Sequence, residues 1–137
     1  MELSFGMIFS IILIVAFLLA AFFAIKYFLD FQREIKYKQF EENLQSDIDR
    51  LWQSSSGSKQ VEYILPKGVR AICFTDGEFE NIEYRSKDMR VGTKLEHFDS
   101  TKTIGSSSVL CIDVFESRVQ FKLNKNYGEP LVSVSKI

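Results

Sequence analysis

Hydrophobic positions follow three different rules in succession along this chain. From Leu3 to Ile25 no residue is charged, and Ser4 and Ser10 are the only polar side chains. A helix of that length rises roughly 35 Å at ~1.5 Å per residue, against a hydrocarbon core of about 30 Å. The run therefore predicts a transmembrane anchor over residues 1–29, with Lys26 snorkelling and Tyr27 at the headgroup level. A soluble core helix would keep a polar side. A cleaved signal peptide would open on basic residues and leave through small ones, whereas this chain opens on Met1-Glu2 and leaves through LAAFFA.

The second rule is helical. Tyr37, Phe40, Leu44, Ile48 and Leu51 recur at steps of three and four and form one stripe, with Trp52 on its edge. This predicts an amphipathic helix over residues 30–53, stopped by a Ser/Gly linker, SSSGS, at 54–58. Phe28, Phe31 and Ile35 project to another side at ~100° per residue, so the buried face shifts near Ile35 to Tyr37. These three residues and Trp52 are the expected contacts for a partner.

The third rule is the period of a strand, and it governs a β-rich domain over 59–137. KQVEYIL, VRAICF, FENIEYR, LCIDVF, RVQFKL and LVSVSKI read as strands. Pro66-Lys67-Gly68 reads as a turn joining the first two into a hairpin, and Glu116-Ser117 as a two-residue connection. Val119, Phe121 and Leu123 alternate with Arg118, Gln120 and Lys122, giving one buried and one wet face. VRAICF and VLCIDVF are apolar on both faces and are expected to be central strands, with the amphipathic helix as cover. From Ser86 to Ser108 the pattern assigns no element. The predicted fold class is α+β: a long N-terminal helix packed on a small antiparallel β-sheet of five to seven strands.

A helix that is apolar first and amphipathic later, feeding a small antiparallel sheet, resembles the architecture of type IV pilins and pilin-like proteins. MELSFGMIFSIILIVAF, DIDRLWQSSSGS, the YILPKG turn leading into CF, and RVQFKLNKNYGEPLVSVSK are similar to a group of small single-span archaeal membrane proteins. That resemblance covers most of the chain and implies an archaeal membrane protein, but it brings no catalytic or binding residues. The pilin pattern is matched in part. Cleavage would fall after Gly6, yet only Glu2 stands where leaders carry basic residues, and Ile11 stands where bacterial pilins have Glu. The expectation is an uncleaved anchor of pilin-like shape.

Charge excludes some partners. The 17 Lys and Arg face 18 Asp and Glu, so the exposed part is nearly neutral once Glu2 is set aside, and nucleic acid is not an expected partner. No polybasic stretch is dense enough for anionic-lipid recognition, although Arg33, Lys36 and Lys38 are placed to touch headgroups. With Lys26 these three follow the span, and the four together favour a cytoplasmic domain by the positive-inside rule. Asp30 and Glu34 lie among those cations and weaken the rule. A β-rich domain, a Ser-rich linker, two cysteines and the pilin-like shape favour an extracytoplasmic one, which is the reading adopted.

Candidate chemistry is sparse. Cys73 and Cys111 lie in the two most apolar strands without C-x-x-C spacing, and a disulfide and two buried small hydrophobes both fit. His97, the sole histidine, reads as a surface or turn residue, and no spacing supplies it with metal co-ligands. Glu78, Glu80 and Glu83 read as the solvated face of a strand, and Ser106-Ser107-Ser108 as loop. The sequence predicts no enzyme, cofactor, metal or small-molecule substrate. It predicts a membrane-anchored structural or interaction protein of the cell envelope, whose partners are membrane lipid, copies of itself or other envelope proteins. A pilin-like filament or assembly component, and a cytoplasm-facing adaptor, are the alternatives.

Overall fold

The computed structural model describes residues 4–87 and 90–137. The start of the expected anchor, Met1 to Leu3, lies outside the described residues. α1 is a single α-helix, Phe5–Gln53, and no Gly or Pro interrupts it after Gly6. It ends where Ser54 turns back, its amide and hydroxyl both donating to Leu51 O at 3.0 and 2.6 Å. The chain divides into two compact units, Met1–Ile35 and Lys36–Ile137.

In the first unit every described side chain from Ser4 to Gln32 is exposed, Phe28 and Phe31 among them, and Ile35 is exposed too. This part of α1 is long and apolar enough to be a candidate membrane span.

Among its described residues the second unit holds the remainder of α1 and six strands: β1 Gly57–Ile64, β2 Val69–Thr75, β3 Ile82–Ser86, β4 Val109–Asp113, β5 Arg118–Lys125 and β6 Ser133–Ser135. A short helix, α2, spans Ser100–Ile104. The α+β class and the antiparallel pairing hold, but the single sheet of five to seven strands is corrected to two sheets of three, ordered β1-β5-β6 and β3-β2-β4. β1 and β2 are therefore not a hairpin. The two strands need different surroundings: β1 buries only Val61 and Tyr63 on one face, whereas β2 buries Ala71, Ile72, Cys73 and Phe74 on both. Leu65 and Pro66 between them are buried, and Pro66 has no N–H to extend a ladder, so the chain crosses to the other sheet. β2 is central as expected, but β4 is an edge strand.

β4 and β5 meet at the predicted two-residue turn, with Phe115 and Arg118 exchanging backbone bonds at 2.9 Å before the strands part into different sheets. Glu116 and Ser117 take φ of 50° and 63°, the left-handed pair that a tight hairpin of this hand requires. Gly57 and Ser58, expected in the linker, are the first residues of β1. The third strand begins at Ile82, so Glu78 and Glu80 lie before it and are not on a strand face.

One core joins these parts. Tyr37, Phe40, Leu44 and Ile48 of α1 pack with Val61 and Tyr63, Ile72 and Phe74, Ile82 and Tyr84, and Val119, Phe121 and Leu123. Aromatic edges knit the layers: Tyr37 to Tyr84 at 4.9 Å, Phe40 to Tyr63 at 5.4 Å, and Phe74 of one sheet to Phe121 of the other at 5.6 Å.

Candidate functional site

A gathering of polar side chains lies around the segment 94–99, which crosses from β3 to α2. Two amide side chains hold it from opposite sides. Buried Asn81 donates to Leu95 O at 3.0 Å and accepts from Leu95 N at 2.6 Å. Gln45 of α1 donates to Glu96 O at 3.0 Å and accepts from Glu96 N at 2.9 Å. Each amide stands in for a neighbouring strand and satisfies backbone groups that a loop would leave open. Leu95 and Phe98 then plug the core.

The crossing residue His97 sits at φ 59°, and its imidazole lies on α1. Nδ1 is 3.0 Å from Asp49 Oδ1, and the ring stacks on Trp52 with centroids 3.7 Å apart and planes 12° from parallel. Asp49 also accepts from Gln45 Nε2 at 2.8 Å. With its proton on Nδ1, the imidazole donates to the carboxylate while the indole covers one face. The group fastens the segment to the last turns of α1. Lys125 adds bonds to Trp52 O and to Ser54 O at the same place.

Beside it opens a shallow cleft of about 640 Å³, lined by Asp76, Lys94, Glu96, His97, Ser100 and Leu131 among others. The Ser100 hydroxyl in it donates to Asp76 Oδ1 at 2.6 Å, and Lys94 Nζ donates to Glu78 O at 2.6 Å. Ser100 and Asp76 form one pair and His97 and Asp49 another. α2 starts here because Asp99 caps it, accepting from Lys102 N at 2.9 Å. Among the described residues no three His, Cys, Asp or Glu are grouped to hold a metal.

Of the residues singled out in the sequence, Trp52 retains 39% of its exposure while stacked on His97. Phe28, Phe31 and Ile35 belong to the first unit and are exposed there. Cys73 and Cys111 stand directly opposite each other across β2 and β4 and are joined, Sγ to Sγ, at 2.11 Å. Arg85 Nε lies 3.4 Å from Cys73 Sγ. Glu80, read as a solvated strand residue, instead accepts from Gly92 N at 2.9 Å. Gly92 is required there, because a Cβ on it would lie 1.8 Å from Ile82 O.

Two further carboxylates take phenols. Tyr63 donates to Asp47 at 2.5 Å, and Tyr84 to Glu41 at 2.8 Å. Burial first, and then the adjoining carboxylate, pushes both phenols far above their ordinary titration range. Sequence reasoning missed Gln45 and Asp49, although Gln45, Asp49 and Trp52 follow one another at steps of four and three. That spacing puts an amide, an acid and an indole on one side of a helix beside the apolar stripe.

Compared with known proteins, the chain matches no family model, and no curated protein or solved structure aligns with it.

Proposed function

We propose that this protein is a membrane-anchored structural or interaction protein of the cell envelope, acting by contact and not by catalysis, with its β-rich unit outside the cytoplasm. The observation that carries the reading is the first half of α1, a charge-free apolar helix as long as a bilayer core is thick, whose side chains are exposed to the last one. The Cys73–Cys111 bond supports the outside location, since disulfides persist in oxidising compartments. Asp49, His97 and Gln45 support a role in holding shape, because each is engaged in fastening the 94–99 segment.

Phe28, Phe31 and Ile35 are the proposed contacts for copies of the chain or other envelope proteins, and the exposed part of Trp52 is a second contact. The exposure of the first three favours a second reading, a pilin-like filament subunit or assembly component, in keeping with the sequence resemblance to pilin-like and small archaeal membrane proteins. Lys26, Arg33, Lys36 and Lys38 favour a third, a cytoplasm-facing adaptor. The test is alkaline-carbonate fractionation combined with photo-cross-linking from position 31. Retention in the membrane with a discrete cross-linked product is expected, and release by carbonate would overturn the anchor.

A further inference from the structure

The second unit has two unlike ends. α1 enters it at Lys36, and Tyr37 and Phe40 pack on Tyr84 and Tyr63. Ile64 follows Tyr63 and pairs with Arg118, Leu65 N donates to Ser117 O at 2.7 Å, and Val114 N donates to Arg70 O at 2.9 Å. Val69, at the start of β2, pairs with Ser86 at the end of β3. The loops 65–68 and 114–117 and the end of β3 therefore collect where α1 enters, while Trp52, His97 and Lys125 mark the far end.

At the entering end two large apolar side chains stand in solvent, Phe115 at 77% and Ile64 at 64% exposure. Both are in register with Arg118, which puts them on one face. At the same end lie exposed cations brought from distant parts of the chain: Lys36 and Lys38 on α1, Lys67 and Arg70 beside the first crossing, and Lys87 after β3. Arg85 and Arg118 lie there too, paired with Glu83 at 3.7 Å and Glu62 at 3.1 Å. Arg90 is stacked over the Tyr37 ring and is 3.9 Å from Glu41. Among the described residues, the acids that oppose them on the 114–117 turn and the adjoining end of β4 are Asp113 and Glu116.

We infer that this end is a docking surface for the anionic headgroups of the bilayer in which the chain's own α1 is anchored. The inference rests on the anchor reading. An exposed aromatic and aliphatic pair sharing one end with several Lys and Arg matches a membrane interface, which offers apolar depth beneath negative phosphate. The tether is short as well: ten residues, Lys26–Ile35, separate the apolar run from Lys36, a helical contour of ~15 Å. None of these cations forms a dense stretch in sequence. The fold assembles them.

The experiment is hydrogen exchange on the full chain in nanodiscs of phosphatidylglycerol or of phosphatidylcholine. Exchange at 65–70 and 114–118 is expected to slow in the anionic discs, and the slowing to weaken as salt is raised, while 96–100 at the far end exchanges equally in both. Replacing Lys67, Arg70 and Lys87 with Gln should weaken docking about fivefold for each charge removed. Phe115→Ser should weaken it with the charges intact, and equal melting of all variants in detergent shows that the fold is kept. A chain that incorporates into discs but exchanges identically in both lipids would overturn the docking surface alone. A chain that fails to incorporate would overturn the anchor with it.

Discussion

Leu44 offers the sharpest test of how α1 and the two sheets share a core. The side chain is 0% exposed, and its neighbours one turn away, Phe40 and Ile48, are 1% and 0% exposed. Leu44→Ala removes three buried carbons, a transfer loss of about 2.4 kcal/mol at ~0.8 kcal/mol per group. The ring-lined surroundings, with Phe40 braced on Tyr63 and Tyr84, cannot close over the hole, and the unfilled volume brings the total to ~3–5 kcal/mol. For a domain of this size each kcal/mol lowers the melting temperature by roughly 4–8 °C, so a drop of at least ~12 °C is expected. The assay is near-ultraviolet circular dichroism of the full chain in detergent on heating, with exposed Glu42→Ala as control, expected within about 0.5 kcal/mol of the parent. If Leu44→Ala melts within a few degrees of Glu42→Ala, the helix does not seal this core.

Three further outcomes follow from particular contacts. The Cys73–Cys111 bond closes a separation of 38 residues, and its removal by a double Ser substitution should cost about 4 kcal/mol in the chain-entropy model, read from the denaturation midpoint; a loss under ~1 kcal/mol would contradict it. Tyr63 and Tyr84 hold their protons above the ordinary phenol value of 10.0, whereas the unfolded chain releases them there. Stability linked to them is therefore fully present below about pH 10 and lost as pH rises beyond it, and Tyr63→Phe with Tyr84→Phe should flatten that alkaline decline in midpoint-against-pH curves. Glu116→Asn with Ser117→Gly suits the left-handed turn and should stabilise by about 1–2 kcal/mol, and a lower melting temperature would show that the native side chains are needed.

Much of the fold was legible because local pattern and burial agree. The stripe Tyr37, Phe40, Leu44, Ile48 is the buried face of α1, and all six strand segments contain a strand. Pairing was not legible. YILPKGV carries a turn signal that reads the same whether the next strand returns to the same sheet or crosses to another, and only the demand of β2 for cover on both faces decides it. α2 was missed although Asp99 and Gly105 bracket it, because five residues are too few for a periodic signal. The His97 group was half legible: the imidazole is plain in LEHFDS, but its partners Asp49 and Trp52 lie some 45 or more positions away. Lys36 and Lys38 were legible as residues placed to touch headgroups, but Lys67, Arg70 and Lys87 come from the first crossing, the start of β2 and just past the end of β3, and no sequence pattern links them to α1.

Orientation is the measurement on which the account turns, and protease accessibility in intact cells reads it directly. With an epitope after Ile137 and protease added outside, the account predicts that the β-rich unit is degraded in intact cells while a cytoplasmic marker survives. Protection of that unit until the cells are lysed would place it inside, with Lys26, Arg33, Lys36 and Lys38 on the retained side, and would contradict the account.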